Sequence, residues 1–248
     1  MNQLIDTLLN HRSIRQFKDQ PLSKEQIHTI VQSAQQASTS SYYQAYSIIG
    51  VTDEDIKQAL SNVSGQFYVK DNAHLMVFCA DFHRAQLNST EEQKKTMNGN
   101  LQNTEHFIVA TVDAALAAQN AAIAAESMGL GICYLGSLRN DINQVSELLQ
   151  LPDYVIPLFG MAIGYPDHQP ERKPRLPMNA IYFENHYAND QTLENQLDTF
   201  NNQLNNYYQN RSENKRTDSF TGQIHRKLSK PKRQDVTDFV KHKGMNRK

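Results

Sequence analysis

Three short clusters of cations stand out in residues 1–210. Together they hold six of that stretch's 13 Lys and Arg. They are His11-Arg12-Ser13-Ile14-Arg15, then Arg139 after Leu135-Gly136-Ser137-Leu138, then Arg172-Lys173-Pro174-Arg175. Each falls in a loop beside an apolar element. A phosphate needs charge-assisted donors; Arg supplies a planar fork and Lys a point charge. In an extended segment, residues i and i+2 point the same way, so Lys173 and Arg175 can grip one anion together. By itself a Lys-Pro-Arg loop is more often a solvated surface. The hydroxyl run Ser38-Thr39-Ser40-Ser41 reads as a helix-terminating loop rather than a source of nucleophiles. No G-x-x-x-x-G-K-[ST] and no G-x-S-x-G occurs, and Gly129-Leu130-Gly131 lacks a third glycine and precedes its strand, so phosphate-loop, hydrolase-elbow and dinucleotide-fold readings are not supported.

The elements that must position these clusters follow from periodicity. Leu4, Ile5, Leu8 and Leu9 have helical spacing, and HRSIRQF is then read as extended or irregular. Ser23 with Gln26 is a capping-box pattern for a helix carrying Ile27, Ile30, Val31 and Ala34 at i, i+3, i+4 and i+7. Tyr46–Val51 is a strand, and Asp53 caps a helix that stops near Gly65. The continuous apolar run from His74 to Phe82 suits a strand covered on both faces. Residues 84–103 are polar and are expected to hold little structure. Thr104–Met128 is alanine-rich, free of Gly and Pro, and apolar on more than one face, which marks a buried helix; Gly129 suits its C-terminus. Strands over Ile132–Leu135 and Ile156–Ile163 flank a helix over Asp141–Leu151. A Pro-rich loop leads to a helix near Gln191–Tyr208, and the last forty residues carry one or two weak helices. The class is mixed α and β with a small sheet.

The bulk properties agree with a folded protein. The chain has 248 residues, 39% hydrophobic and 21% charged, with a net charge of −1. That balance conceals an asymmetry. Residues 211–248 carry 12 Lys/Arg and 4 Asp/Glu, so the rest of the chain is acidic. A basic tail on an acidic body suits an anionic small molecule or nucleic acid, or is simply solvated. No recognised nucleic-acid module occurs. No run is read as long enough to span a membrane, and no signal peptide is read at the N-terminus. Cys79 and Cys133 sit in separate apolar runs, as buried reduced thiols of a cytoplasmic protein would. No Cys/His cluster has metal-ligand spacing, so no metal is expected.

Taken together and in order, these blocks resemble the nitroreductase superfamily. They are His11–Phe17, Ala37–Gln44, Ser64-Gly65-Gln66, Phe78–Phe82, Leu135–Asn140, Leu158-Phe159-Gly160 and Lys173–Pro177. The set is most similar to the NADPH-preferring, oxygen-insensitive nitroreductases and NADPH-flavin oxidoreductases. The resemblance covers essentially the whole chain, and is strongest from His11 to Pro177.

The resemblance implies an α+β fold with a central, mostly antiparallel sheet flanked by helices, in an intertwined homodimer. It implies one FMN-binding domain over 1–248, with 190–248 as a C-terminal arm and basic loop. FMN would be held non-covalently at the subunit interface. His11, Arg12, Ser13 and Arg15 would contact it from one subunit, with Lys173 and Arg175 on its phosphate and Leu135, Gly136 and Ser137 at the ring edge. Thr39, Ser40 and Gln66 would come from the other subunit. Relatives often have Gly where this chain has Ser137, so a side chain there threatens to crowd the ring. Ser41, Tyr42 and Arg139 would lie on the substrate side. Arg211 and Arg216, with Arg233, would meet NADPH, the first two at its 2′-phosphate. FMN would carry the chemistry, so no catalytic side chain is expected. The activity implied is a ping-pong NADPH oxidoreductase acting on nitroaromatics, quinones or free flavins. The alternative is an FMN-binding storage or delivery protein with little turnover.

Overall fold

The computed structural model describes residues 2–212 and 214–248. Glu213, inside the expected basic loop, lies outside the described residues. The chain divides into two compact units, 1–170 with 233–248, and 171–232.

The first unit is built on a four-stranded antiparallel sheet of order β1-β2-β4-β3: β1 Tyr46–Val51, β2 His74–Asp81, β3 Gly131–Leu135 and β4 Val155–Gly164. The α+β expectation therefore holds. β2 is central and buried at all eight positions. Its side chains alternate between two cores. Met76, Phe78 and Ala80 pack with the helices α2 (Lys24–Gln35) and α6 (Thr104–Ser127). Leu75, Val77 and Cys79 face α3 (Glu54–Ser64) and α7 (Ile142–Leu148).

The β2–β4 ladder slips between Phe78 and Cys79, where Phe78 pairs with Phe159 and Cys79 with Pro157. Pro157 has no N–H to give the ladder, and a bulge is where a sheet tolerates that. Leu158 is left outside the pairing, and its carbonyl is free for a side chain.

The caps follow the sequence. Ser23 and Gln26 form the capping box of α2, and Asp53 accepts from the amides of Asp55 and Ile56 at the start of α3. Gly129 turns left-handed just past α6, at φ +76°. The short α1 (Gln3–Leu9) precedes them, and α10 (Val236–His242) closes this unit.

Two expectations need correction. Residues 84–103 are not structureless: they form α4 (Arg84–Leu87) and α5 (Glu91–Leu101). α5 has almost no apolar stripe, with Leu101 its one buried residue. It is set instead by a Thr90–Gln93 capping box and a Glu91–Lys94 ion pair at 2.8 Å, signals that hydrophobic periodicity does not show. α6, with 24 residues, is also long and apolar enough to cross a membrane by length and composition alone. Its alanines produce that hydropathy, and Ala110, Ala114, Ala117, Ala118 and Ala121 are buried on the sheet and α2, so it is a core helix of this unit.

The second unit contains α8 (Asp190–Asn210) and α9 (Phe220–Leu228). Phe200, Leu204 and Tyr208, at i, i+4 and i+8 on α8, make its core with Leu176 and Phe220.

Candidate functional site

The HRSIR segment runs along the outer edge of the sheet. Ser13 bridges Ile132 in parallel, and the Ile14 amide donates to the Ile132 carbonyl at 2.9 Å. Ile14 is buried against Gly131, where a Cβ would lie 2.5 Å from the Ile14 side chain. Gly131 is therefore what lets the segment lie flat on β3. With Ile14 turned inward, the alternation of an extended strip sends Ser13 and Arg15 to its other side.

His11 Nδ1 sits 2.7 Å from Glu126 Oε1, in the last turn of α6. Arg12 Nη1 donates to the Asn10 carbonyl, but its Nε is buried with no hydrogen-bond partner among the described residues. Arg12 and Glu126 line a cavity of about 800 Å³ with Lys18, Tyr165 and Gln169, within the size range of cofactor sites. Burial pushes the Cys133 thiol up, while the Arg15 guanidinium beside it pulls down. Cys79, fully buried, is pushed up to about 12 by burial and by Asp81. Both cysteines are free.

Leu135, Gly136 and Ser137 follow at the end of β3. The Ser137 hydroxyl is turned onto Ser64, at 2.5 Å between the oxygens, which directs it toward the end of α3. Gln66 follows two residues after Ser64, and its carbonyl accepts from Ser61 at 3.0 Å. Within one chain Gln66 thus neighbours the Leu135–Ser137 turn. Arg139 donates to the Leu158 carbonyl freed by the bulge; burial, then Arg233, hold its pKa below the usual guanidinium range. Arg233 donates to Asn140 Oδ1 at 3.0 and 3.1 Å.

The Thr39–Tyr42 loop is elsewhere. It precedes β1, the opposite edge strand. Tyr46 pairs with Ala80, which faces Ile156, whereas the HRSIR strip meets Ile132, which faces Ile163. Across the sheet from β1 to the strip outside β3 is four strand spacings, and along β4 the stretch from Ile156 to Ile163 separates them, roughly 19 by 23 Å. The structure therefore does not bring Thr39 and Ser40 together with Ser13 and Arg15 in one chain. The loop itself is highly ordered by one group. Asp113 of α6, fully buried, accepts from the Ser40 and Ala45 amides at 3.0 Å each. Between them Ser41, Tyr42 and Gln44 have φ of 47°, 59° and 48°, interrupted by a right-handed Tyr43; such left-handed backbones cost non-glycine residues energy and are common at functional loops. Tyr42 is 82% exposed.

In the second unit, Lys173, Arg211 and Arg216 converge on one ring. Their cationic groups lie 5.5, 5.0 and 3.9 Å from the centroid of Tyr208. Arg175 lines a cavity of about 310 Å³ with Lys173, Phe200 and Phe220. Arg216 and Arg226 share the carboxylate of Asp218, at 3.2 and 2.6 Å.

Reading the sequence missed Glu126, Asp113 and Tyr208. Two of them left a signal. Glu126 is an acid at a helix C-terminus, where the dipole disfavours it, and Asp113 is the lone charge in an alanine-rich apolar stretch. Tyr208 left none beyond its place on the apolar face of α8.

The nitroreductase family model matches residues 8–165, and the model of the nitroreductase family C-terminal domain matches 173–248. The chain is 50% identical over 249 residues to an FMN reductase (NADPH) of Bacillus subtilis, covering 100% of both. Among solved structures, NfrA1 of B. megaterium superposes with a TM-score of 0.95 at 52% identity, covering 99% of this chain and 100% of that one. The NADPH:FMN oxidoreductase of Vibrio harveyi, complexed with NAD+, gives 0.87 at 36% identity and covers 100% of both chains. With models matching nearly its whole length, and with the basic strip, hydroxyl loop and arginine loop all present, the chain belongs to the nitroreductase family.

Proposed function

We propose that this chain is an FMN-dependent NADPH oxidoreductase that passes electrons to nitroaromatics, quinones or free flavins in a ping-pong sequence. The observation that carries the reading is full-length identity of 50% to an FMN reductase (NADPH). The geometry supports it, because the residues suit the cofactor. The buried Arg12 Nε has no hydrogen-bond partner among the described residues, and a buried donor left so is costly unless a ligand satisfies it.

Bound FMN supplies the redox chemistry. The side chains bind and orient it. His11, Arg12, Ser13 and Arg15 offer cations and a hydroxyl. Leu135, Gly136 and Ser137 would border the ring together with Gln66, which the resemblance gives to the other subunit but which lies beside them in one chain, and the resemblance assigns Lys173 and Arg175 to the phosphate. Arg15, a fixed positive charge, is assigned to the edge of the ring where electron density would gather on reduction. Thr39 and Ser40, far from this group within one chain, complete it from a second copy in a homodimer. Apolar surface on the first unit supports that assembly: α1 buries none of its residues, and Leu4, Ile5 and Leu8 are exposed, as are Ile108, Val112 and Leu116 along α6. Ser41, Tyr42, Arg139 and Arg233 are assigned to the substrate side, and Arg211 and Arg216 to the 2′-phosphate of NADPH. We place the enzyme in the cytoplasm, which the two free buried thiols suit.

The test is direct. Protein titrated with FMN should bind it with quenched fluorescence and then oxidise NADPH in the presence of nitrofurazone, a quinone or free FMN. Parallel double-reciprocal plots are expected, because donor and acceptor use the site in turn; intersecting plots would exclude that order. FMN binding with negligible NADPH oxidation would leave a storage or delivery protein.

A further inference from the structure

Tyr208 is 2% exposed on the last turns of α8. Its position continues the Phe200–Leu204 row, so a Leu or Phe would fill the core as well. What a core role does not account for is the company it keeps. The chain leaves α8 at Arg211, whose amide donates to the Tyr207 carbonyl at 3.0 Å. It then folds back until the Arg216 amide reaches the Tyr208 carbonyl at 3.1 Å. That turn lays both guanidiniums over the Tyr208 ring, Arg216 at 3.9 Å and Arg211 at 5.0 Å, with Lys173 at 5.5 Å.

Three like charges around one ring repel each other, and among the described residues their other partners are few. Arg211 is held by the Asn214 carbonyl. Arg216 has Asp218, which Arg226 also claims at 2.6 Å. Burial pushes the Tyr208 phenol up, but Lys173, Gln223 and Arg216 outweigh it and hold the phenol below its ordinary range, as expected for a group facing net positive charge. The negative face of the ring is what makes this gathering tolerable. Planar guanidiniums stacked on a fixed ring also lose little freedom when they later grip an anion.

We propose that Tyr208 is a positioning residue for NADPH selectivity: its ring holds Arg211 and Arg216 as a paired, preformed receptor for a 2′-phosphate. The inference rests on the assignment of those two arginines to that phosphate. It makes selectivity for NADPH over NADH depend on a buried aromatic that does not itself touch the nucleotide.

The test measures binding to the FMN-loaded enzyme, using adenosine 2′,5′-bisphosphate and adenosine 5′-monophosphate as competitors. Y208L should weaken the bisphosphate about tenfold and the monophosphate less than about twofold, whereas Y208F, which keeps the ring, should stay within about twofold for both. Unchanged bisphosphate affinity in Y208L overturns the proposal. So does an equal loss in Y208F, which would give the role to the hydroxyl. The double variant R211A/R216A separates the two levels of the argument. If it still discriminates between the probes, the phosphate assignment itself is wrong. If it loses discrimination while Y208L keeps it, only the role of Tyr208 falls. Should Y208L not retain its bound flavin and helical content, R216K carries the test at the surface. It keeps the charge without the stacking plane, so it should lose about fivefold for the bisphosphate; wild-type affinity there would overturn the platform.

Discussion

A histidine held by a carboxylate has only one ring nitrogen left to offer. Glu126 is acceptor-only when ionised, so His11 Nδ1 carries the hydrogen in their 2.7 Å contact, and Nε2 is the atom free for a ligand. If Nε2 meets a phosphate it must also carry a proton, which places an imidazolium between two anions. Glu126→Gln removes one of those anions while keeping the size. FMN affinity should fall about tenfold, the order expected for losing a charge-assisted hydrogen bond. Riboflavin, which lacks the phosphate, should bind as before. Fluorescence quenching titrations with both flavins check this, and an equal loss for the two would reduce Glu126 to a structural support. The residues that face a ligand were readable here through their order along the chain. The residues behind them were not, because Glu126 finds its partner 115 positions away and no local spacing encodes such a pair.

At the scale of elements, α6 does two jobs besides filling the core. Near its middle, Asp113 grips the loop from Ser40 to Ala45, and in its last turn Glu126 grips the HRSIR strip. At 1.5 Å per residue these two points are about 20 Å apart, so one rigid helix fixes the spacing of both pieces of the site. The loop depends on it more heavily, since Ser41, Tyr42 and Gln44 all hold left-handed backbones that only surrounding contacts maintain. Asp113→Asn leaves one acceptor for two amides, that of Ala45 buried and that of Ser40 half-buried, and turns a donor toward one of them. The expected cost is about 1–3 kcal/mol of stability, read from urea unfolding. Proteolysis within 38–45 should also become faster at urea concentrations well below the midpoint. If stability and cleavage both stay at wild-type values, Asp113 does not hold the loop. α6 itself was plain in the sequence, as were the caps of α2 and α3, because those signals are local. α5 was not, since its capping box and ion pair stand in for the apolar stripe by which helices are recognised.

The whole molecule has to solve a problem that one first unit does not. Its two groups of candidate ligands sit at opposite corners of a four-stranded sheet, and α6 holds them there. Neither a hinge nor a loop closure spans a rigid core of this kind, so if Thr39 and Ser40 act with Ser13 and Arg15, they do so across a two-fold axis, as isologous contacts require. The same unit leaves Ile108, Val112 and Leu116 exposed along one row of α6 and buries nothing of α1, an apolar surface that suits a self-complementary contact. Val112→Glu puts a charge in the middle of that row, at a position 48% exposed in one chain. The fold of the single chain should therefore survive, with helical content and two-state unfolding retained. Sedimentation should show a monomer at micromolar concentration, and FMN affinity should drop by at least about a hundredfold, because Thr39 and Ser40 leave with the partner and that face of the site opens to water. A well-folded monomer that still binds FMN as the wild type does would show that one chain makes the whole site, and the reading of Thr39 and Ser40 as a second copy's contribution would fail with it.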